Sequence, residues 1–137
     1  MRFTDKEAHP NELSPLNLAF IGDCIYEMLV RETLVLDANR PVNDLHKESV
    51  KFVSAKAQTL AYDKIKDVLT EQETAVYKRG RNAKAVTRAK NASMSDYRTA
   101  TGFEALMGWL YLTNKSERMM LLIKEGLSII EKEEDSK

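Results

Sequence analysis

Apolar and polar positions along this chain recur with the period of helices rather than of strands. After Ser14 and Pro15, an N-cap followed by proline at the first helical position, the stretch LNLAFIGDCIYEMLVRETLVL is apolar on nearly all sides. That pattern predicts a long, central, buried helix. Asn43 or Asp44 is placed to cap a second helix running through LHKESVKFVSAKAQTLAYDKI, with Leu45, Val50 and Val53 near one face and Leu60 and Ile65 continuing the apolar supply. Thr70 and Glu73 form the capping-box pair of a third helix. A further helical segment is expected from about Ser95 to Tyr97, after which Thr101 and Glu104 read as a second capping box leading into FEALMGWLYL. Asn114 or Ser116 opens the last helix, whose stripe is Met119, Met120, Ile123, Leu127 and Ile130. The closing EKEEDSK (131–137) is expected to fray as a charged tail. Period-2 alternation and hairpin pairs such as Asn-Gly are missing, and no proline follows Pro41. The expected fold is therefore all-α, a helical bundle forming one domain over 1–137.

Length and composition narrow this picture. With 137 residues, a single domain can bury roughly two-thirds of the surface its unfolded chain exposes. The one cysteine, Cys24, excludes an intrachain disulfide framework and fits a reducing compartment such as the cytoplasm. No apolar run approaches the roughly 18 residues of a membrane span, and MRFTDKEAHPNE lacks the apolar centre of a signal peptide. Basic and acidic residues number 21 each, a balance that argues against a nucleic-acid binder relying on bulk positive charge. Position changes that reading. Between Thr74 and Ser95 lie Lys78, Arg79, Arg81, Lys84, Arg88 and Lys90 without a single acid. Gly80 is expected to interrupt the helix there and free KRGRNAK as a loop for phosphate contacts. The competing reading is a solvated basic loop without a ligand.

Two carboxylates sit among the wrong neighbours. Asp23 lies within FIGDCIYEML, where an ionised side chain needs a cation, a hydrogen-bond network or water to offset its desolvation. Gly22 beside it is a second poor helix former, and the pair implies that something approaches the backbone closely at this point. Glu27 follows one turn later on the same face. Glu104 stands between Phe103 and a long apolar run. Asp23 can also be a helix-edge or ion-paired residue, Glu27 a solvated or ion-paired side chain, and Glu104 the closing half of a capping box. If Asp23 and Glu104 converge, they suit a hard cation such as Mg²⁺, which can supply hydroxide and stabilise phosphodiester charge. Cys24 reads as a packing residue.

LNLAFIGDCIYEMLV resembles the signature helix of the ribonuclease III family, with its Leu-acid-Phe-Leu-Gly-Asp core, and TATGFEALMGWLYL resembles that family's Phe-Glu-Ala-Leu-Ile-Gly motif. NDLHK, VSAKAQ and KRGRNAK, in this order, are similar to motifs of its short branch, the Mini-ribonucleases III, which lack a double-stranded-RNA-binding domain. The resemblance covers about Ser14 to Ile130, and no length remains for that extra domain. It implies a Mg²⁺-dependent endoribonuclease, with Mn²⁺ as substitute, that cuts double-stranded RNA to 5′-phosphate and 3′-hydroxyl ends. It implies Asp23 and Glu104 as catalytic residues and metal ligands. Two further acids of the longer enzymes are replaced here by Ala19 and Thr101, which leaves the number of metals per site open. The family works as a two-fold homodimer, in which Phe20 and Met28 of the signature helix would take part. Lys78, Arg79, Arg81, Lys84, Arg88 and Lys90, with Lys47 as a weaker candidate, would contact RNA, while His46 fits a structural or an RNA-facing role. The implied substrate is the large-subunit ribosomal RNA precursor, with a ribosomal protein assisting. The competing function is a non-catalytic RNA-binding or ribosome-associated protein on the same fold.

Overall fold

A computed structural model describes residues 2–84 and 93–135, with side chains as far as residue 128. The described residues form six α-helices, two short 3-10 turns (Pro10–Glu12 and Lys66–Val68) and no strand: α1 (Pro15–Asp37), α2 (Val42–Val53), α3 (Ala55–Ile65), α4 (Glu71–Arg81), α5 (Met94–Leu112) and α6 (Ser116–Asp135). The all-α expectation holds. Helix α1 starts as its sequence dictates, with extended Ser14 accepting the amide of Asn17 and Pro15 in the first turn. Its burial differs from expectation. Leu18, Tyr26 and Val30 are buried, but Phe20, Cys24, Met28 and Val35 are exposed. The steps from Phe20 to Cys24 to Met28 put them on one stripe. An all-round apolar helix here has one face in the core and the other outside it.

The second expected helix is two. Pro41, not Asn43 or Asp44, provides the N-cap of α2: its carbonyl accepts the amides of Asp44 and Leu45. At Ser54 the backbone turns extended, ending α2, and the Ser54 hydroxyl accepts the amide of Ala57 to start α3. A helix end leaves carbonyls without intrahelical partners. Side chains take two of them: the Tyr26 hydroxyl donates to Phe52 O at 2.6 Å, and Gln58 Nε2 donates to Val53 O at 3.0 Å.

The capping box of Thr70 and Glu73 is present, and Glu73 does more than close it. Buried, it receives Nε and Nη2 of Arg118, each at 2.9 Å, and so ties α4 to α6. That hydrogen-bonded guanidinium holds its carboxyl below the usual range. Gly80 does not interrupt α4. It is buried against α5, where a Cβ would lie 2.8 Å from that of Ala105. Helix α4 therefore continues through Arg81, and only Asn82 to Lys84 of KRGRNAK lie beyond it. Helix α5 is likewise continuous from its Ser93 cap. Thr101 and Glu104 are interior residues, and the Thr101 hydroxyl bonds its own backbone at Tyr97 O rather than capping a helix. In α6, Met119 and Ile123 are buried whereas Met120 is exposed; Ile130 lies outside the residues whose side chains are described. The backbone stays helical to Asp135, where a frayed tail was expected.

Helix α5 is the centre of the bundle: Phe103, Ala105, Leu106, Met107 and Leu110 have no exposed surface. It packs most extensively on α1 and next on α4. The α1–α5 crossing has no room for side chains. A Cβ on Gly22 would overlap the carbonyl oxygen of Glu104, and one on Gly108 the carbonyl oxygen of Leu18. The two glycines let backbone meet backbone, which answers why a poor helix former stands beside Asp23.

Gly22→Ala would gain about 1 kcal/mol in helix propensity on an exposed helix. Here it is expected to destabilise the protein by about 3 kcal/mol, the upper end of overpacking costs, read as a lower urea midpoint. A variant as stable as the parent would mean that the close crossing does not exist.

Candidate active site

The crossing decides which polar side chains meet. Gly22 lies against the backbone of Glu104, so the next residue, Asp23, comes beside the Glu104 side chain, and the two carboxyl groups share a hydrogen bond. Asp23 itself is exposed and Glu104 half-buried. Of the readings open for Asp23, the helix-edge one matches its exposure: its neighbours in sequence are apolar, but it stands on the face of α1 that leaves the core. Glu104 is the partner that carries the desolvation.

Burial is the main reason that the Glu104 carboxyl is pushed up to about 8. The charge of Asp23 comes next, and the Asp23 hydrogen bond and the charge of Glu27 add to it. Opposing them is one neutral donor, Gln58, whose Nε2 reaches Glu104 Oε2 at 3.1 Å. Burial, reinforced by the Glu104 charge, also raises the phenol of Tyr26. No basic side chain figures among the groups acting most strongly on Glu104. Glu27 is paired with Arg31 at 3.7 Å, but both are well exposed, and such a pair neutralises little.

The result is a pair of carboxyl groups that resist ionising together, with no basic side chain of the described residues among the groups acting most strongly on Glu104, on oxygen donors that hard cations prefer. Those donors fit a divalent ion. Among the described residues no three His, Cys, Asp or Glu side chains form a metal-holding cluster, so protein oxygens would come from Asp23 and Glu104, with water or phosphate completing the shell. Ala19 and Thr101 are both buried and add no acid.

The basic candidates are more dispersed. Lys47, Lys78, Arg79 and Lys84 are exposed and Arg81 is half-buried. Arg79 Nη2 donates to Leu13 O, securing the N-terminal segment, and Arg81 lies 5.7 Å from the Tyr77 ring centre with its Nε on Asn82 Oδ1. Arg88 and Lys90 fall outside the described residues. His46 is exposed, and so is Cys24, against the packing role expected for it. Sequence reasoning missed Gln58. Its signal was a polar side chain in the apolar run AKAQTLA, and its burial at 2 % exposure makes it a contributor to the site.

Residues 16–115 match the family model for the ribonuclease III domain. A Mini-ribonuclease 3 of Thermoanaerobacter is 48% identical over 119 residues, covering 87% of this chain and 84% of its own. One from Streptococcus pneumoniae is 44% identical over 123 residues, covering 88% and 96%. A crystal structure of a Fusobacterium nucleatum protein superposes with a TM-score of 0.77 at 34% identity, over 89% of this chain and 95% of that one.

The raised Glu104 carboxyl has a consequence for stability. Between about pH 4.5, its ordinary value, and about pH 8 the native state holds a proton that the unfolded chain has released. Stability must fall as pH rises through this window. Metal-free protein should lose melting temperature across it, and Glu104→Gln should flatten the decline. Equal slopes for the two proteins would show that Glu104 is not perturbed.

Proposed function

The chain belongs to the ribonuclease III family, and from that membership we propose a divalent-metal-dependent endoribonuclease that cleaves double-stranded RNA at a site formed by Asp23 and Glu104. The observation that carries this reading is the convergence of these two carboxyls, from helices far apart in sequence, with no basic side chain of the described residues among the groups acting most strongly on Glu104. Asp23 and Glu104 would hold Mg²⁺, or Mn²⁺ in its place. When bound, such an ion supplies a water of lowered pKa and offsets charge developing on the scissile phosphate. The protein's part is placement. Gly22 and Gly108 bring the two helices together, and the buried side of Glu104 gives that carboxylate one fixed direction while exposed Asp23 stays open to the substrate. Products carry 5′-phosphate and 3′-hydroxyl ends, as the family resemblance implies.

One such site cuts one strand. A two-fold dimer supplies the second from the same short sequence. Support for it comes from the exposed stripe on α1, where Phe20 is 83% and Met28 56% exposed, an apolar surface that gains by being covered. A-form RNA offers phosphates and 2′-hydroxyls more readily than base edges. Lys78 and Lys84, at and beyond the end of α4, are suited to phosphate contacts, with Lys47, Arg79 and Arg81, and Arg88 and Lys90 in the segment outside the described residues. By resemblance to the short branch, the substrate is the large-subunit ribosomal RNA precursor, with a ribosomal protein assisting, in the cytoplasm.

Asp23→Asn keeps size and shape but removes charge. It should abolish Mg²⁺-dependent cleavage of a long RNA duplex while duplex binding and the melting temperature stay near the parent's. A parent protein that binds duplex but cuts it with neither Mg²⁺ nor Mn²⁺ would leave the non-catalytic RNA-binding reading. Replacing Lys78 and Lys84 by alanine should weaken duplex binding and lower the slope of log affinity against log salt by about one for each phosphate no longer neutralised. An unchanged slope would remove both lysines from the RNA surface.

A further inference from the structure

The geometry points to Gln58 as the positioning residue of the carboxylate pair: its side-chain amide ties Glu104 to the end of α2 and sets the direction in which that carboxylate meets Asp23 and a cation. The inference rests on Asp23 and Glu104 being the metal ligands.

Three observations carry it. Gln58 is 2% exposed, so its amide has no access to bulk solvent and its orientation is dictated by protein neighbours. Both amide hydrogens are used: Nε2 donates to Val53 O at 3.0 Å and to Glu104 Oε2 at 3.1 Å. The amide oxygen, Oε1, is buried without a hydrogen-bond partner among the described residues. A flipped amide would turn that oxygen towards two acceptors, so only one orientation is compatible with these neighbours. A buried acceptor without a protein partner calls for an explanation, and a place in a functional site is one.

The α2–α3 break explains how Gln58 reaches the pair. Ser54 ends α2 and caps α3, which places Gln58 in the first turns of the new helix while Val53 presents a carbonyl without an intrahelical partner. One side chain then spans α2, α3 and α5. The choice of residue also fits a ligand-holding role. An arginine or lysine at this position would neutralise Glu104 and compete with a cation for it. A carboxylate would add charge to a cluster that already repels itself. Leucine would give Glu104 no anchor. Glutamine is a donor of the right length without charge, so it stabilises the ionised form of Glu104 and leaves its charge to a metal.

The test uses the full chain with Gln58→Leu, which has similar volume and no donor. Groups that orient a metal ligand typically contribute 10–100-fold in metal affinity or activity. Mn²⁺ binding by calorimetry should therefore weaken by about that factor, and kcat on an RNA duplex should fall with KM little changed. A merely structural role would lower the melting temperature and leave Mn²⁺ affinity of the folded protein as it was, which would overturn the proposal. Should the variant not fold, the parent answers by itself. On adding Mg²⁺, the side-chain amide resonance of Gln58 should shift, and in Asp23→Asn it should not; a resonance unmoved in the parent overturns the proposal. If the parent takes up no Mn²⁺ and cuts no RNA, the metal-site reading fails and this inference with it. If the parent binds and cuts and Gln58→Leu does both equally well, this inference fails alone.

Discussion

Everything distinctive in this molecule follows from two helices that touch through their backbones. At Gly22 and Gly108 the α1–α5 crossing leaves no room for a Cβ on either side. Helices normally keep 8–10 Å between axes because side chains intervene; removing them at two points on the crossing lets the next residues converge. Asp23 follows Gly22 directly, and Gly22 lies on the backbone of Glu104. Two acids separated by most of a domain in sequence thus become neighbours, with a helix propensity loss of about 1 kcal/mol at each glycine set against the packing gained around Phe103, Leu106 and Leu110.

That closeness is electrostatically unfavourable, and the surroundings moderate it without removing it. Burial and the Asp23 charge both work against ionising Glu104, and Gln58 is the single named donor on the other side. By contrast Glu73, which is buried, is matched by a bidentate Arg118 and a backbone amide. Two glutamates withdrawn from solvent to different degrees are treated oppositely. One is fully paired and fastens α4 to α6; the other has no basic side chain of the described residues among its strongest neighbours. The first arrangement is what a structural carboxylate requires, and the second marks a candidate functional site.

Much of this was legible in the sequence, for reasons that differ by residue. Ser14-Pro15 and Thr70 with Glu73 mark helix starts because cap chemistry is local and depends on few residues. The oddity of Gly22-Asp23 announced a close approach, and one exists. What failed were inferences that needed tertiary context. The apolarity of α1 suggested burial on every side, but Phe20 and Met28 face outward, since periodicity cannot tell a core from an uncovered surface. Gly80 looked like a breaker and proved to be a packing residue against Ala105. Thr101 and Glu104 had the spacing of a capping box inside a continuous helix. Asp23 and Glu104 could each be singled out, but not their meeting, and Gln58 escaped notice because its importance lies wholly in what it touches.

The most direct test of the account is where a metal binds. Crystals grown with Mn²⁺ and measured at an energy where manganese scatters anomalously should show a peak lying between the carboxylates of Asp23 and Glu104, absent from crystals of Asp23→Asn. Manganese bound elsewhere, or an unchanged peak in the variant, would contradict the claim that the glycine crossing exists to assemble a cation-binding pair.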